Sequence, residues 1–145
     1  MRNYEHILFA TDLKQTSIEV GARAVELAHH YQATFSMFHV VEYIPLDLAN
    51  ELVIPQYQQI EEQLVNHART ELKKLAQSLG VSECKQFVEV GPTKSEILRF
   101  AEERDVDLIV LGRHSHHGVA VLLGSTATGV INRAPCDVIA VKVGT

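Results

Sequence analysis

The feature that most constrains the fold of this chain is an end-to-end alternation of short apolar runs with amphipathic stretches. Two of the runs, residues 6–11 and 107–111, are almost continuously apolar, which is typical of central strands covered on both faces. Residues 85–90 alternate polar and apolar side chains, as an edge strand does. Two further runs, 34–41 and 137–143, complete the set. The pattern predicts an α/β protein with a mainly parallel sheet.

The amphipathic stretches between these runs predict helices over about 16–31, about 56–79, from 93 onward, and over 126–133. Thr16 with Glu19, and Thr93 with Glu96, have the spacing of capping boxes. Gly80 is expected to end the second helix. Side chains expected to face the sheet are Ile18, Ala22, Val25 and Ala28 in the first helix, Ile60, Leu64, Ala68, Leu72, Leu75, Ala76 and Leu79 in the second, and Ile97, Phe100 and Ala101 in the third. No linker or internal repeat interrupts the pattern, so residues 1–145 are predicted to form one domain.

The composition limits the classes of protein to which the chain can belong. The 145-residue chain has a formal net charge of -5, which argues against a general nucleic-acid-binding protein but not against a local phosphate site. No signal sequence and no run of roughly 18 apolar residues is present, so we predict a cytoplasmic protein without a membrane span. Cys84 and Cys136 make no C-x-x-C motif and are predicted to be free thiols.

Ligands of open parallel sheets bind beyond the carboxyl ends of the strands. Three segments are expected to emerge there: Ala10-Thr11-Asp12, Val40-Val41-Glu42 and Gly112-Arg113-His114-Ser115. Gly124-Ser125 leads into the last helix, whose first amides and dipole favour an anion. The alternative is a plain helix cap. Asp12 could bind a ribose hydroxyl or a base, or could simply bond neighbouring amides in a turn.

The usual nucleotide-binding motifs, G-x-x-x-x-G-K-[ST] and G-x-G-x-x-G after the first strand, are absent from the sequence. His114, His116 and His117 lack converging partners, so a solvated loop is favoured over a metal site. His39 lies in a strand and is interpreted as a hydrogen-bonded structural histidine. We find no nucleophile with an activating base, and predict no catalytic residues.

With these residues in place, the chain resembles the universal stress protein family over nearly its whole length. The resemblance lies in the first strand ending at Asp12, in Phe38-His-Val-Val-Glu42, in Asp105-Val-Asp-Leu-Ile-Val-Leu-Gly112, and in Arg133-Ala-Pro-Cys-Asp-Val-Ile-Ala-Val141. It implies a five-stranded parallel sheet in the order 3-2-1-4-5, with helices on both faces, and usually a homodimer. It also implies a regulatory protein with at most slow ATP hydrolysis.

Nucleotide-binding members of that family carry a Gly-x2-Gly-x9-Gly-Ser/Thr loop after the fourth strand and hold ATP or a related adenine nucleotide. By position, Ala10, Thr11, Asp12 and Val40 would meet the adenosine end, and the phosphates would meet Gly112, Arg113, His114, Ser115, Gly124, Ser125 and Thr126. ATP, ADP or AMP, with or without Mg²⁺, is the implied ligand. This chain departs from the pattern at Ser115, which replaces the second glycine, in the next interval, which is shorter by one residue, and at Lys14, where a serine is often found.

Two other functions are weighed against nucleotide binding. The first is an interaction protein without nucleotide, acting through residues 43–57 or through the closing strand 137–143, whose alternating side chains suit pairing between subunits. The second is an enzyme of the related adenine-nucleotide α-hydrolases. Those enzymes carry S-G-G-x-D-S after the first strand, where this chain reads Ala10-Thr-Asp-Leu-Lys-Gln15, which argues against that class.

Overall fold

The structure is a computed structural model that describes residues 3–42, 54–114 and 125–143, apart from the side chains at 54–57, 114 and 125. Strands and helices alternate along the chain, as the sequence predicts. In order they are β1 (His6–Ala10), α1 (Ser17–Tyr31), β2 (Thr34–Val41), α2 (Ile54–Ser78), β3 (Lys85–Val90), α3 (Thr93–Glu103), β4 (Leu108–His114), α4 (Ser125–Arg133) and β5 (Asp137–Val143).

The five strands form one parallel sheet in the order β3-β2-β1-β4-β5, which confirms the predicted topology. The two nearly continuous apolar runs form β1 and β4. These strands lie in the middle of the sheet, where helices cover both faces. Leu8 and Ile109 are in register there, and both are fully buried. The alternating run β3 lies at one edge, where its side chains are half-buried or exposed.

Two hydrophobic cores lie on opposite faces of the sheet. Leu8, Phe38 and Ile109 face α3 and α4, whereas Ile7, Phe9 and Met37 face α1 and α2. As predicted, Ile97, Phe100 and Ala101 are the buried residues of α3. The side chains of each central strand therefore alternate between two helical layers. The end of the sheet where the strands have their carboxyl ends is left open.

The predicted buried face of α1 is correct at Ala28 but wrong at its other three residues. The residues that face the sheet are Ser17, Val20, Gly21, Ala24 and Ala28, whereas Ile18 and Ala22 are exposed and Val25 is half-buried. Small residues line this face because the helix lies close to the sheet: a methyl group on Gly21 would lie 2.9 Å from the Phe9 ring and 2.5 Å from Leu79. The prediction assumed that the large apolar residues face inward, and it therefore placed the wrong side of the helix against the sheet.

Among the described side chains of α2, those buried against the sheet all lie in the second half of the helix. Ala68, Leu72 and Ala76 are buried and Leu75 and Leu79 half-buried, as predicted, but Ile60 and Leu64 are exposed. The helix has 25 residues, roughly 37 Å, whereas the 8 residues of β2 span roughly 26 Å. The helix is thus longer than the strands beneath it.

Gly80 ends α2 as predicted. It has a φ of 75°, and its N–H donates to the Gln77 carbonyl while the Val81 N–H donates to the Ala76 carbonyl. This pair of hydrogen bonds is the Schellman motif, which needs the left-handed conformation that glycine adopts without a steric cost.

Neither predicted capping box forms. Thr16 has helical dihedral angles and no side-chain cap bond, and Thr93 already lies inside α3, after Pro92. The Glu96 carboxylate pairs with the Arg99 guanidinium instead of returning to the start of the helix. The spacing alone was a misleading signal for a different reason in each helix. Thr16 does precede the first residue of α1, but its helical dihedral angles do not give a side-chain cap bond, whereas α3 begins one residue earlier than expected, after Pro92.

Within the described residues, no helix is both long and apolar enough to cross a membrane. Cys84 and Cys136 form no disulfide, as predicted, and both are half-buried.

Candidate functional site

A cavity of about 530 Å³ opens above the carboxyl ends of β1, β2 and β4. It reaches the first residues of α1, α3 and α4, all of which follow strands and so start at this edge. Its described lining consists of Phe9, Ala10, Thr11, Asp12, Lys14, Thr16, Ser17, Val20, Phe38, His39, Val40, Glu42, Thr93, Ile97, Leu111, Gly112, Arg113, Thr126 and Ala127.

The cavity brings together seven of the eleven residues that sequence reasoning assigned to the site: Ala10, Thr11, Asp12, Val40, Gly112, Arg113 and Thr126. His114 is the last residue of β4 and Ser125 the first of α4. Ser115 and Gly124 lie outside the described residues, as do His116 and His117.

The segment after β4 needs one correction. Gly112, Arg113 and His114 were expected to form a loop, but they continue the strand and pair with Val141, Lys142 and Val143 of β5. The strand can extend because β5 is long enough to match it residue for residue. Gly112 and Arg113 are consequently held by the sheet where they meet the cavity.

The turn after β1 is held by a series of hydrogen bonds. The Leu13 N–H donates to Thr11 Oγ1 (2.9 Å), Thr11 Oγ1 and Ser17 Oγ lie 2.6 Å apart, and Ser17 Oγ donates to Asp12 Oδ1 (3.1 Å). The same Asp12 oxygen accepts the Lys14 N–H at 2.9 Å. With a φ of 61°, Leu13 adopts a left-handed conformation, which these bonds stabilise.

Asp12 therefore has the structural role that the sequence analysis gave as an alternative, because its carboxylate accepts a hydrogen bond from a neighbouring amide in the turn. Its side chain is nevertheless exposed and lines the cavity. The two roles are compatible because a carboxylate has about four acceptor positions.

His39 joins the ends of two strands. Its Nδ1 lies 2.7 Å from the Thr11 carbonyl oxygen, so this nitrogen carries the proton and donates. The hydrogen bond agrees with the interpretation of His39 as structural. The ring also lines the cavity, which the strand pattern alone did not indicate.

Glu42 reaches from the end of β2 to the start of α3, where its Oε1 accepts the Thr93 N–H at 3.4 Å. A carboxylate at this helix start compensates the unpaired amides and the helix dipole. The first turn of α3 is thus already supplied with an anion from the protein itself.

Sequence reasoning missed much of the cavity wall. It assigned no role in the site to Thr16 or Thr93, because their capping-box spacing was interpreted as local helix chemistry, and it did not single out Ser17 at all. The order of elements held a usable signal: in a parallel sheet, every helix that follows a strand begins at the edge where that strand ends.

The described residues contain no group of three or more His, Cys, Asp or Glu side chains arranged to hold a metal ion. Nor is Cys84 an activated nucleophile, because burial and the neighbouring Glu83 carboxylate raise its pKa to about 11.

Comparison with known proteins gives one consistent result. The sequence profile of the universal stress protein family matches residues 3–142. Universal stress protein A homolog 1 of Coxiella burnetii is 39% identical over 139 residues, which are 96% of each chain.

Solved structures share the fold. Universal stress protein UspA from Lactobacillus plantarum superposes with a TM-score of 0.82 at 24% identity, over 97% of this chain and 99% of that one. A universal stress protein solved in complex with cAMP superposes with a TM-score of 0.63 at 20% identity, over 97% of this chain and 98% of that one. By profile, sequence identity and fold, the chain belongs to the universal stress protein family.

Proposed function

We propose that this protein is a cytoplasmic regulatory protein that binds ATP, or the related ADP or AMP, in the cavity above β1, β2 and β4. The observation that carries the proposal is the position of the cavity. It lies where β1, the first strand, has neighbours β2 and β4 on its two sides, so that successive connections leave for opposite faces of the sheet. Ligands of open α/β sheets bind at this point.

The size and lining of the cavity fit the ligand. Its volume of about 530 Å³ is within the range of roughly 300–1,000 Å³ for small-molecule sites. Apolar side chains such as Phe38, Val40 and Ile97 lie beside polar ones such as Asp12 and Thr126. A solved relative bound to cAMP supports an adenine nucleotide as the ligand class.

In the proposed complex, Ala10, Thr11, Asp12 and the backbone of Val40 meet the adenosine end. The phosphates meet Gly112, Arg113, His114, Ser115, Gly124, Ser125 and Thr126. Any Mg²⁺ would be held mainly by the phosphates, because the described residues offer no carboxylate cluster for it. Without a P-loop lysine or a catalytic carboxylate set, hydrolysis would be slow at most.

Native mass spectrometry of the purified protein, followed by denaturation, tests whether an adenine nucleotide is released. Equilibrium dialysis with ATP, ADP and AMP then measures the affinity. Thr126→Phe would fill the cavity from α4, whereas Thr128→Phe adds the same ring on the exposed side of that helix. We expect only Thr126→Phe to abolish binding. No binding by the natural protein at millimolar nucleotide would refute the proposal.

A second candidate is an interaction protein whose homodimer forms through residues 137–143. The observation in its favour is that β5 lies at the edge of the sheet, and that its residues Val138 to Val141 are only half-buried. Pairing with β5 of a second copy would cover this edge. Light scattering of Ala140→Pro, which cannot donate from residue 140, tests the dimer. A dimer that survives both Thr126→Phe and nucleotide removal would favour this candidate.

A further inference from the structure

Two cationic side chains line the cavity from different elements. Lys14 is exposed and belongs to the turn after β1, and Arg113 is half-buried and belongs to β4. Among the described residues, neither of these two side chains takes part in a hydrogen bond or an ion pair, whereas Arg23, Lys74 and Arg99 all pair with glutamates on their own helices. These two cations are therefore available to a ligand.

The two carboxylates of the cavity wall are already engaged. Asp12 Oδ1 accepts from the Lys14 N–H and from the Ser17 hydroxyl, and Glu42 Oε1 accepts from the first amide of α3. The described lining holds two acidic and two basic side chains, so its formal charges balance. The acidic side chains accept hydrogen bonds from the protein itself, whereas the basic side chains have no such partner among the described residues. Lys14 and Arg113 are accordingly the residues of the lining that are suited to bind an anion.

The backbone at Lys14 is fixed. Its N–H donates to Asp12 Oδ1 at 2.9 Å, and its carbonyl accepts the Ser17 N–H at 2.9 Å. A side chain that begins from a held backbone loses less freedom when it binds a ligand than one on a loose loop. Lysine is also a compact point charge on a flexible stem, which suits the outer phosphates of a ligand better than a fixed hydrogen bond to one atom.

We infer that Lys14 is a specificity-determining residue, which makes the site prefer ligands with two or more phosphate groups over those with one. This inference rests on the proposed function. Arg113, which is held in the sheet and half-buried, serves any phosphate that enters. Lys14 starts from the turn that meets the adenosine end in the proposed complex, and its long, exposed side chain reaches from there to the additional charge of a diphosphate or triphosphate chain. A neutral side chain at position 14 would leave that charge facing water.

Calorimetric titration of the whole chain with AMP, ADP and ATP tests the inference. We expect Lys14→Ser to weaken ADP and ATP binding about five- to tenfold, as for an exposed charge pair, and to change AMP binding less than about twofold. Lys14→Arg retains the positive charge and should keep most of the preference. Lys73→Ser, which removes an exposed lysine from α2, is the matched control and should change none of the three affinities.

Salt provides a second readout. The ATP affinity of the natural protein should fall more steeply with ionic strength than that of Lys14→Ser, because one charge contact is missing in the variant. Equal weakening of AMP, ADP and ATP by Lys14→Ser, or no weakening at all, would overturn the inference and leave the proposed function intact. Absence of binding by the natural protein to all three nucleotides would overturn both.

Discussion

The Thr11 and Ser17 hydroxyl oxygens lie 2.6 Å apart beneath the turn that follows β1. Both residues are buried, with 8% and 4% of their surface exposed. Since the Ser17 hydroxyl donates its single proton to Asp12 Oδ1, the Thr11 hydroxyl donates to Ser17 Oγ while it accepts the Leu13 N–H. The exposed carboxylate at the cavity is thereby oriented by two hydroxyls that do not depend on a ligand.

Replacing Ser17 by Ala should therefore destabilise the protein. The change removes the donor to Asp12 and leaves the Thr11 hydroxyl buried without its acceptor, so we expect the free energy of unfolding to fall by about 1–3 kcal/mol. Urea denaturation measures it. Ser95→Ala, at an exposed position on α3, is the control. Equal stability of the two variants would contradict the structural role of Ser17.

Asp107 ties the start of β1 to the start of β4. Its Oδ2 accepts the Glu5 N–H at 2.8 Å and its Oδ1 accepts the His6 N–H at 3.1 Å. Asp107→Ala should lower the free energy of unfolding by about 1–3 kcal/mol because two backbone donors lose their acceptor. Asp107→Asn keeps one acceptor and should cost less. Thermal unfolding that ranks the two variants in the reverse order would show that these bonds contribute little.

Two helical glycines should respond oppositely to alanine. At Gly21 the new methyl group meets the buried Phe9 ring and Leu79, so Gly21→Ala should destabilise by about 1–3 kcal/mol through overpacking. At Gly129 the three atoms nearest to the methyl group all belong to the side chain of Lys94, which is partly exposed and can move aside. There the higher helix propensity of alanine should contribute up to about 1 kcal/mol of stability.

Chemical denaturation of both glycine variants, with the natural protein alongside, measures the two effects. Adding Leu79→Ala to Gly21→Ala should recover part of the loss if crowding is its cause. A Gly21→Ala protein as stable as Gly129→Ala would mean that α1 has room to move away from the sheet.

Cys84 should react slowly with alkylating agents. Burial, followed by the Glu83 charge, raises the pKa of its thiol from 9.0 to about 11, so the thiol stays protonated and un-nucleophilic until the pH approaches that value. In a Cys136→Ser background, iodoacetamide labelling at pH 8 should be about 100-fold slower than for a thiol with the ordinary pKa, because each pKa unit changes the thiolate fraction about tenfold. The rate should rise with pH up to about 11. In urea, where burial is lost, labelling at pH 8 should become fast.

The strands were the part of the fold that local sequence predicted best. The apolar runs around Leu8 and Ile109 are buried on both faces only if they lie between two helical layers. The alternating residues 85–90 have one polar face, which fits a strand at the edge of the sheet. Which face of each helix is buried was harder to predict from the sequence. The buried face of α1 is made of small residues such as Ser17, Gly21 and Ala24, and its close approach to Phe9 is a tertiary fact that helical periodicity does not contain.

The site was predictable in outline for a similar reason. Strand ends converge in any parallel sheet, so Asp12, Val40 and Gly112 could be placed at one edge from the sequence. Ser17 and Thr93 could not, because their contribution depends on where each helix actually begins. The role of the Lys14 side chain also stayed open, since from the sequence it could contact a phosphate or simply be solvated, and only the structure shows that it lines the cavity.

The unequal packing of α2 has a consequence for how the protein opens in solution. Among the described side chains of its first half, from Gln58 to His67, none is buried, whereas Ala68, Leu72 and Ala76 are held against the sheet. Amide hydrogens in the first half should exchange with solvent deuterium through local fraying, at a free-energy cost well below that of global unfolding. Those around Leu72 should exchange only when the whole domain unfolds. One continuous helix would then report two different free energies of opening.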